Sequence, residues 1–233
     1  MSEPWKTFGV GLVNPRLTKI DGQALIHHSF LTVDDICFYL WEYTSQKGYS
    51  FSRCNGLITN LKKSPKFKNS LLQKEQAQYK YKLNAIRECA KALSETISPD
   101  VLKSSTFVPV PCSKHIDDPE YDDRMEKICK HMGVADLRKL VVQTESRMAS
   151  HMSAPGERQT ISDLIKIYQL NEELCCGGNI PKRIIIIDDV LTTGRHFKAM
   201  QTILQHHFPD AEIIGIFIAR RIFDQAPDDA SHF

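Results

Sequence analysis

The chain has 233 residues, of which 42% are hydrophobic and 25% are charged, and its formal net charge is +2. This length suffices for one large hydrophobic core, and a charge so near zero excludes a global attraction to nucleic acid or to an anionic membrane. No apolar run has the length of a membrane span, residues 1–15 lack the apolar block of a signal peptide, and seven cysteines without a CxxC pair are typical of a reduced, cytoplasmic protein.

The first third of the chain is predicted to be rich in helices. Apolar residues recur near helical spacing across residues 31–47, and Gly48 suits the end of such a helix. A short helix follows at residues 57–63, and a long one at residues 72–97 ends at Ser98-Pro99. The pattern of residues 31–47 predicts a helical N-terminal extension over residues 1–56.

Four lysines are clustered at the end of the short helix and just after it, at positions 62, 63, 66 and 68. Such a run is usually a solvated face, and this interpretation is favoured. A contact with nucleic acid is the alternative, and salt-dependent binding to DNA or RNA would support it.

The remaining two thirds alternate between strand-like and helical segments. Strands are predicted at residues 107–111, 140–142, 184–187 and 213–219, and helices at residues 119–131, 161–174 and 195–207. Residues 184–187 are all isoleucine, which is typical of a strand buried on both faces. The alternation predicts an α/β fold with a central, mostly parallel sheet flanked by helices.

A candidate site follows the isoleucine run. Asp188 and Asp189 come at the predicted carboxyl end of this strand, where open α/β sheets bind ligands. Adjacent carboxylates suit the hydroxyls of a ribose diol. The next residues form a turn into a helix, whose backbone N–H groups suit a phosphate; they are Thr192, Thr193, Gly194, Arg195 and His196. A purely structural strand, turn and helix is the alternative.

The whole string of residues 183–196 resembles the phosphoribosyl pyrophosphate (PRPP) motif of type I phosphoribosyltransferases. Residues 108–114 are similar to the strand and pyrophosphate loop of the competence-type (ComF-like) branch of this superfamily. The resemblance assigns pyrophosphate binding to Cys112, Ser113 and Lys114. In that branch the loop often contains a non-proline cis peptide, for which the candidates here are the bonds on either side of Ser113.

A third likeness concerns residues 145–158, where the family keeps a mobile catalytic loop. Arg147, His151 and Arg158 are the residues that would close over pyrophosphate, and Arg147 is the catalytic candidate. An ordinary surface loop is an equal alternative. The resemblance covers residues 57–221, without the branch's zinc finger. It implies a phosphoribosyltransferase domain at 57–224, a preceding extension at 1–56 that acts as a hood or cap, and a tail at 225–233.

The resemblance further implies the activity and its partners. The chain would bind PRPP with Mg²⁺ and transfer ribose 5-phosphate to a nucleobase or another nucleophile, with Asp188, Asp189 and Arg147 as the catalytic residues. The resemblance implies that Mg²⁺ bridges to pyrophosphate through water; separately, no residue spacing indicates a protein metal site. A homodimer is the family's common arrangement.

Two departures from the family pattern keep other functions open. The family usually has Ser or Thr in place of His196, and members acting on purines can carry an Asp where this chain has Thr192. A non-catalytic sensor or an accessory protein in DNA uptake or defence is therefore the alternative to an enzyme.

Overall fold

The computed structural model describes residues 15–146, 160–176 and 179–224. Its strands are β1 (Thr18–Lys19), β2 (Ile36–Thr44), β3 (Thr106–Pro109), β4 (Asp136–Leu137), β5 (Val141–Gln143), β6 (Tyr168–Leu170), β7 (Arg183–Leu191) and β8 (Glu212–Ile222). Six of them form one sheet in the order β1-β2-β8-β7-β3-β4, and β5 pairs with β6 in a separate antiparallel hairpin. All described neighbours in the large sheet are parallel except β1 with β2 at its edge.

Helices cover both faces of this sheet. They are α1 (Gly22–Leu25), α2 (Arg53–Leu61), α3 (Gln73–Thr96), α4 (Pro99–Ser104), α5 (Arg124–Met132), α6 (Ile161–Ile167), α7 (Glu172–Cys176) and α8 (Arg195–His207), with a 3₁₀ turn at Pro65–Asn69. Apolar residues of α2, α3 and α5 pack on one face, and those of α6 and α8 pack on the other. The predicted α/β class, with a mostly parallel sheet flanked by helices, is confirmed.

Strand β7 lies near the middle of the sheet, between β8 and β3. Ile184 and Ile186 belong to the core beneath α8, whereas Ile185 and Ile187 belong to the core beneath α3. This alternation explains the unbroken apolar run, because a strand covered on both faces must be apolar on both. Each such side chain contributes about 1.5–3 kcal/mol through burial.

The predicted helix at residues 31–47 is wrong. Residues 36–44 form β2, which pairs in parallel with β8 along eight register positions from Ile36 to Thr44. The segment contains a period of two as well as a helical one, since Cys37 and Tyr39 are both buried in the same core. The expected helical extension is therefore corrected: part of residues 1–56 is a strand of the central sheet. The boundary at residue 56 stays a prediction.

The predicted helix at residues 161–174 is interrupted. Helix α6 ends at Ile167, and the chain continues as β6, which pairs with β5. Tyr168 is buried where the helix stops, and its hydroxyl group contacts α8. The predicted strand at 140–142 thus exists as β5 but lies outside the large sheet. The tail at 225–233 lies outside the described residues, and none of the described helices has the length and apolarity needed to cross a membrane.

Candidate functional site

The two predicted aspartates lie at the carboxyl end of β7. Strand β3 pairs with β7 up to Ile187, and the last bond between them runs from Val110 N to Ile187 O at 3.0 Å. Strand β7 continues to Leu191 along β8 only. Asp188 and Asp189 therefore stand where β3 has ended, at the carboxyl edge of a central parallel strand, as predicted.

Asp189 is buried and held by two cations. Its Oδ2 atom accepts hydrogen bonds from Nε and Nη2 of Arg124 at 3.1 and 2.7 Å. Its Oδ1 atom lies 3.4 Å from Nζ of Lys62, whose side chain is 38% exposed. Burial opposes ionisation, but Lys62 and Arg124 outweigh it and hold the pKa of Asp189 well below its usual range. Asp189 is therefore a carboxylate at neutral pH.

The ion pairs continue beneath the site. Arg124 Nη1 donates to Asp122 Oδ2 at 2.6 Å, and Lys82 Nζ donates to the same oxygen at 2.7 Å. Lys82 is almost completely buried, and its ammonium group also donates to the carbonyl groups of Leu61 and Lys63 at 2.7 and 2.9 Å. All three ammonium protons thus have acceptors, which a buried lysine requires. This network ties α3, α5 and the end of α2 to β7.

Asp188 has the opposite electrostatic environment. It is half-buried, and its Oδ1 atom accepts a hydrogen bond from the backbone N–H of Asp189 at 2.8 Å. Burial and the negative charge of Asp189 raise the pKa of Asp188 above its usual range. The two adjacent acids therefore differ in pKa and in role. Asp189 neutralises internal cations, whereas Asp188 keeps one oxygen available for a ligand.

The turn after β7 exposes backbone N–H groups. The Thr192 carbonyl accepts a hydrogen bond from His28 Nδ1 at 2.5 Å, and the Thr193 carbonyl accepts one from Phe30 N at 2.9 Å. Gly194 has a φ of 88°, a left-handed conformation that favours glycine. Among the described hydrogen bonds, none uses the N–H of Thr193 or Gly194 as a donor. These two groups, at the start of α8, suit an anion.

Arg195 and His196 form the first turn of α8. Arg195 Nε donates to Thr193 Oγ1 at 3.2 Å, and its guanidinium group lies 5.7 Å from the ring centroid of Phe30. His196 Nδ1 shares a hydrogen bond of 2.7 Å with the hydroxyl group of Tyr168. The histidine ring is therefore tied to β6 through its Nδ1 atom.

The predicted pyrophosphate loop lies beside β7, because Cys112, Ser113 and Lys114 follow the adjacent strand β3. All described peptide bonds are trans, so the predicted cis bond next to Ser113 is wrong. The loop has one internal hydrogen bond, from Lys114 N to Cys112 Sγ at 3.4 Å, and one from outside, because Gln143 Nε2 of β5 donates to Ser113 O at 2.8 Å. Lys114 Nζ lies 3.7 Å from Glu120.

A cavity of about 200 Å³ separates this loop from the hairpin of β5 and β6. Cys112 and Lys114 line it together with Val141 and Gln143, whereas Asp188 and Asp189 do not. A pocket shared by the two aspartates therefore stays a prediction. Arg147, His151 and Arg158, predicted to close over pyrophosphate, lie outside the described residues.

Sequence reasoning missed several residues of the site. Lys62 was assigned to a solvated basic run, and Lys66 of that run is paired with Glu120 at 3.3 Å. Arg124 fell within a predicted polar helix and carried no signal of its own. His28 and Tyr168 contact the turn and α8 from distant parts of the chain, which no local pattern reveals.

The described residues contain no group of three or more His, Cys, Asp or Glu side chains arranged to hold a metal ion.

Comparison with known proteins gives weak similarities only. No protein-family model matches the chain, and no curated protein matches it. Two solved structures of a hypoxanthine phosphoribosyltransferase from Staphylococcus aureus are similar in part. The tetragonal form is 18% identical, with 60% of this chain and 74% of that chain covered and a TM-score of 0.36. The orthorhombic form is 14% identical, with 60% of this chain and 75% of that chain covered and a TM-score of 0.31. Similarity this low establishes no shared function, and the competence-type branch stays a prediction.

Proposed function

We propose that the chain is a type I phosphoribosyltransferase that binds Mg²⁺–PRPP, transfers ribose 5-phosphate to a nucleobase or another nucleophile, and releases pyrophosphate. One observation carries the proposal. A half-buried carboxylate, Asp188, and a turn with two undonated N–H groups, at Thr193 and Gly194, occupy the same end of one central strand. These are the groups that a ribose diol and its 5′-phosphate need.

The proposed roles follow the contacts. Asp188 accepts hydrogen bonds from the ribose hydroxyl groups, and the 192–196 turn receives the 5′-phosphate. Asp189 does not fit as a direct ribose ligand, because both its oxygens face cations. Its role is to neutralise Arg124 and Lys62 at the wall of the site. Lys114 lies on the side assigned to pyrophosphate, and Arg147 is assigned to the same ligand by the family resemblance alone.

The chemistry asked of these residues is mainly positioning and charge stabilisation. Departure of pyrophosphate leaves an oxocarbenium-like ribose, as in glycoside cleavage. Bound Mg²⁺ would neutralise part of the charge on pyrophosphate. The protein holds the ribose at its diol and at its phosphate, so the anomeric carbon meets the nucleophile in one orientation.

A non-catalytic PRPP or nucleotide sensor is the second candidate, and a specific observation favours it. Two residues assigned to substrate are already engaged within the protein: Asp189 with Arg124, and His196 with Tyr168. A site that holds its ligand with fewer groups can bind without accelerating departure of pyrophosphate.

One experiment separates these functions. The full chain is incubated with Mg²⁺–PRPP and each of a panel of purine and pyrimidine bases, and pyrophosphate release is measured beside calorimetric binding of Mg²⁺–PRPP. Release that depends on one base, and is lost in Asp188→Asn, supports the enzyme. Binding of Mg²⁺–PRPP with no pyrophosphate release in the presence of each base supports the sensor. Absence of both binding and release refutes the proposed function.

A further inference from the structure

Residues 28–31 contact every residue of the proposed phosphate turn from Thr192 to Arg195, although more than 160 positions separate them. His28 binds the carbonyl group of Thr192, and Phe30 binds that of Thr193. The ring of Phe30 lies near the guanidinium group of Arg195. The shape of the turn is therefore determined by the N-terminal part of the chain as well as by its own sequence.

The two carbonyl contacts orient the N–H groups of the turn. In a trans peptide the C=O of one residue and the N–H of the next point in opposite directions. Because His28 holds the carbonyl group of Thr192, the N–H of Thr193 points away from His28. Because Phe30 holds the carbonyl group of Thr193, the N–H of Gly194 points away from Phe30. Both undonated N–H groups are thus turned to the side opposite residues 28–31.

These residues are firmly attached to the rest of the fold. A Cβ atom added to Gly194 would lie 2.8 Å from Cδ2 of Leu31, so no side chain fits between them. Asp35, a few residues further on, pairs with Lys198 of α8 at 2.8 Å. The contacts to the turn therefore come from a rigid support.

His28 is buried, and within the described part of the chain only one of its two ring nitrogens is hydrogen-bonded. Its side chain is fully buried, and burial lowers its pKa. Nδ1 must donate, since the Thr192 carbonyl can only accept, and Nε2 is buried without a hydrogen-bond partner in the described residues. An unsatisfied buried nitrogen costs stability and calls for an explanation other than packing.

We propose, resting on the proposed function, that His28 is a positioning residue that sets affinity for the 5′-phosphate by holding the Thr192 carbonyl group and thereby aiming the N–H groups of Thr193 and Gly194. It acts through the turn and touches no substrate. Its effect is restricted to ligands that carry the 5′-phosphate.

Two ligands measured separately test this proposal: ribose 5-phosphate, which uses the turn, and Mg²⁺–pyrophosphate, which does not. Calorimetry compares wild type with His28→Ala, His28→Gln and His28→Asn. An Asn amide places an N–H near the position of Nδ1, whereas Gln places it near Nε2. Without this support one N–H group of the turn is no longer aimed at the phosphate, and loss of one such hydrogen bond corresponds to about a 3- to 10-fold change in affinity. We expect Ala and Gln to weaken ribose 5-phosphate binding by this factor, Asn to restore most of it, and none to affect Mg²⁺–pyrophosphate.

His27→Ala is the matched control, because His27 is the neighbouring residue and no described hydrogen bond joins it to the turn; its ring lies 6.4 Å from that of Phe223. If His28→Ala does not fold, His28→Gln, which keeps the side-chain volume, decides the result. An equal loss for both ligands, or unchanged ribose 5-phosphate binding, overturns the positioning role while the proposed function stands. A wild type that binds neither ligand refutes the proposed function and this inference together.

Discussion

Replacing Asp188 with Asn is expected to stabilise the protein while weakening its proposed site. Burial and the charge of Asp189 raise the pKa of Asp188, so ionised Asp188 is less favourable in the folded than in the unfolded chain. The amide removes this cost, and its oxygen can still accept the hydrogen bond from Asp189 N. Because each pKa unit corresponds to about 1.4 kcal/mol and Asp188 retains some contact with water, we expect a gain of about 1–2 kcal/mol at mildly alkaline pH.

The pH dependence of this gain has a definite direction. Below the usual aspartate range the carboxyl group is neutral in both states, so wild type and Asp188→Asn should be equally stable. As pH rises from that range, the unfolded chain ionises first and the wild type loses stability relative to the variant. The difference stops growing once pH passes the raised pKa of folded Asp188.

Asp189→Asn is the matched control, and it should act in the opposite sense. Its depressed pKa contributes stability above the usual aspartate range, which is lost as pH falls toward the folded pKa. Removing the charge leaves Lys62 without its carboxylate, while Arg124 keeps Asp122. We expect a loss of about 3 kcal/mol at neutral pH, at the low end for a broken buried ion pair because of that second partner.

Urea unfolding of wild type, Asp188→Asn and Asp189→Asn from acidic to mildly alkaline pH measures both effects. The comparison requires that the unfolding free energies of the three proteins have the same dependence on urea concentration. Calorimetry with Mg²⁺–PRPP then tests the functional cost. Loss of a charge-assisted bond of about 1.5–3 kcal/mol should weaken binding roughly 10- to 100-fold in Asp188→Asn. If both variants lose stability at alkaline pH, the assignment of a raised pKa to Asp188 is wrong.

Two further predictions concern the support of the site. Lys82→Met should lower the free energy of unfolding by about 3 kcal/mol, since it removes one of the two cations paired with Asp122 and leaves two carbonyl groups without their donor. Lys80→Met, exposed on the same helix, should change little, and equal effects of the two variants in urea unfolding would contradict the network. Gly194→Ala should cost about 2 kcal/mol, from its left-handed φ and from the contact with Leu31. Adding Leu31→Ala should relieve the second part only, and a double-mutant cycle without coupling would refute the steric contact.

The parts of the fold that were predicted correctly are those with one unambiguous period. The isoleucine run of β7 and the apolar stripe of α8 match the structure, because β7 is buried on both faces and α8 on one. Strand β2 was predicted as a helix because its apolar residues satisfy both periods. Only the pairing with β8, a contact distant in sequence, decides between them.

The candidate site was predictable to a similar extent. The place of Asp188 and Asp189 follows from the strand that carries them, whereas their different environments do not. Those depend on Arg124 and Lys62, which come from two helices and have no spacing relation to the aspartates. Charged side chains that meet only through tertiary structure leave no local signature.

The position of β8 in the sheet affects how the chain folds during its synthesis. It is the last strand in the described part of the chain, yet it lies between β2 and β7 and hydrogen-bonds to both. Roughly 170 residues separate β2 from β8, which corresponds to about 10–30 s of synthesis. Throughout that time the nascent chain carries an apolar strand with one edge unpaired. Folding of the sheet is therefore expected to be slow, and aggregation or chaperone binding would compete with it until β8 has been synthesised.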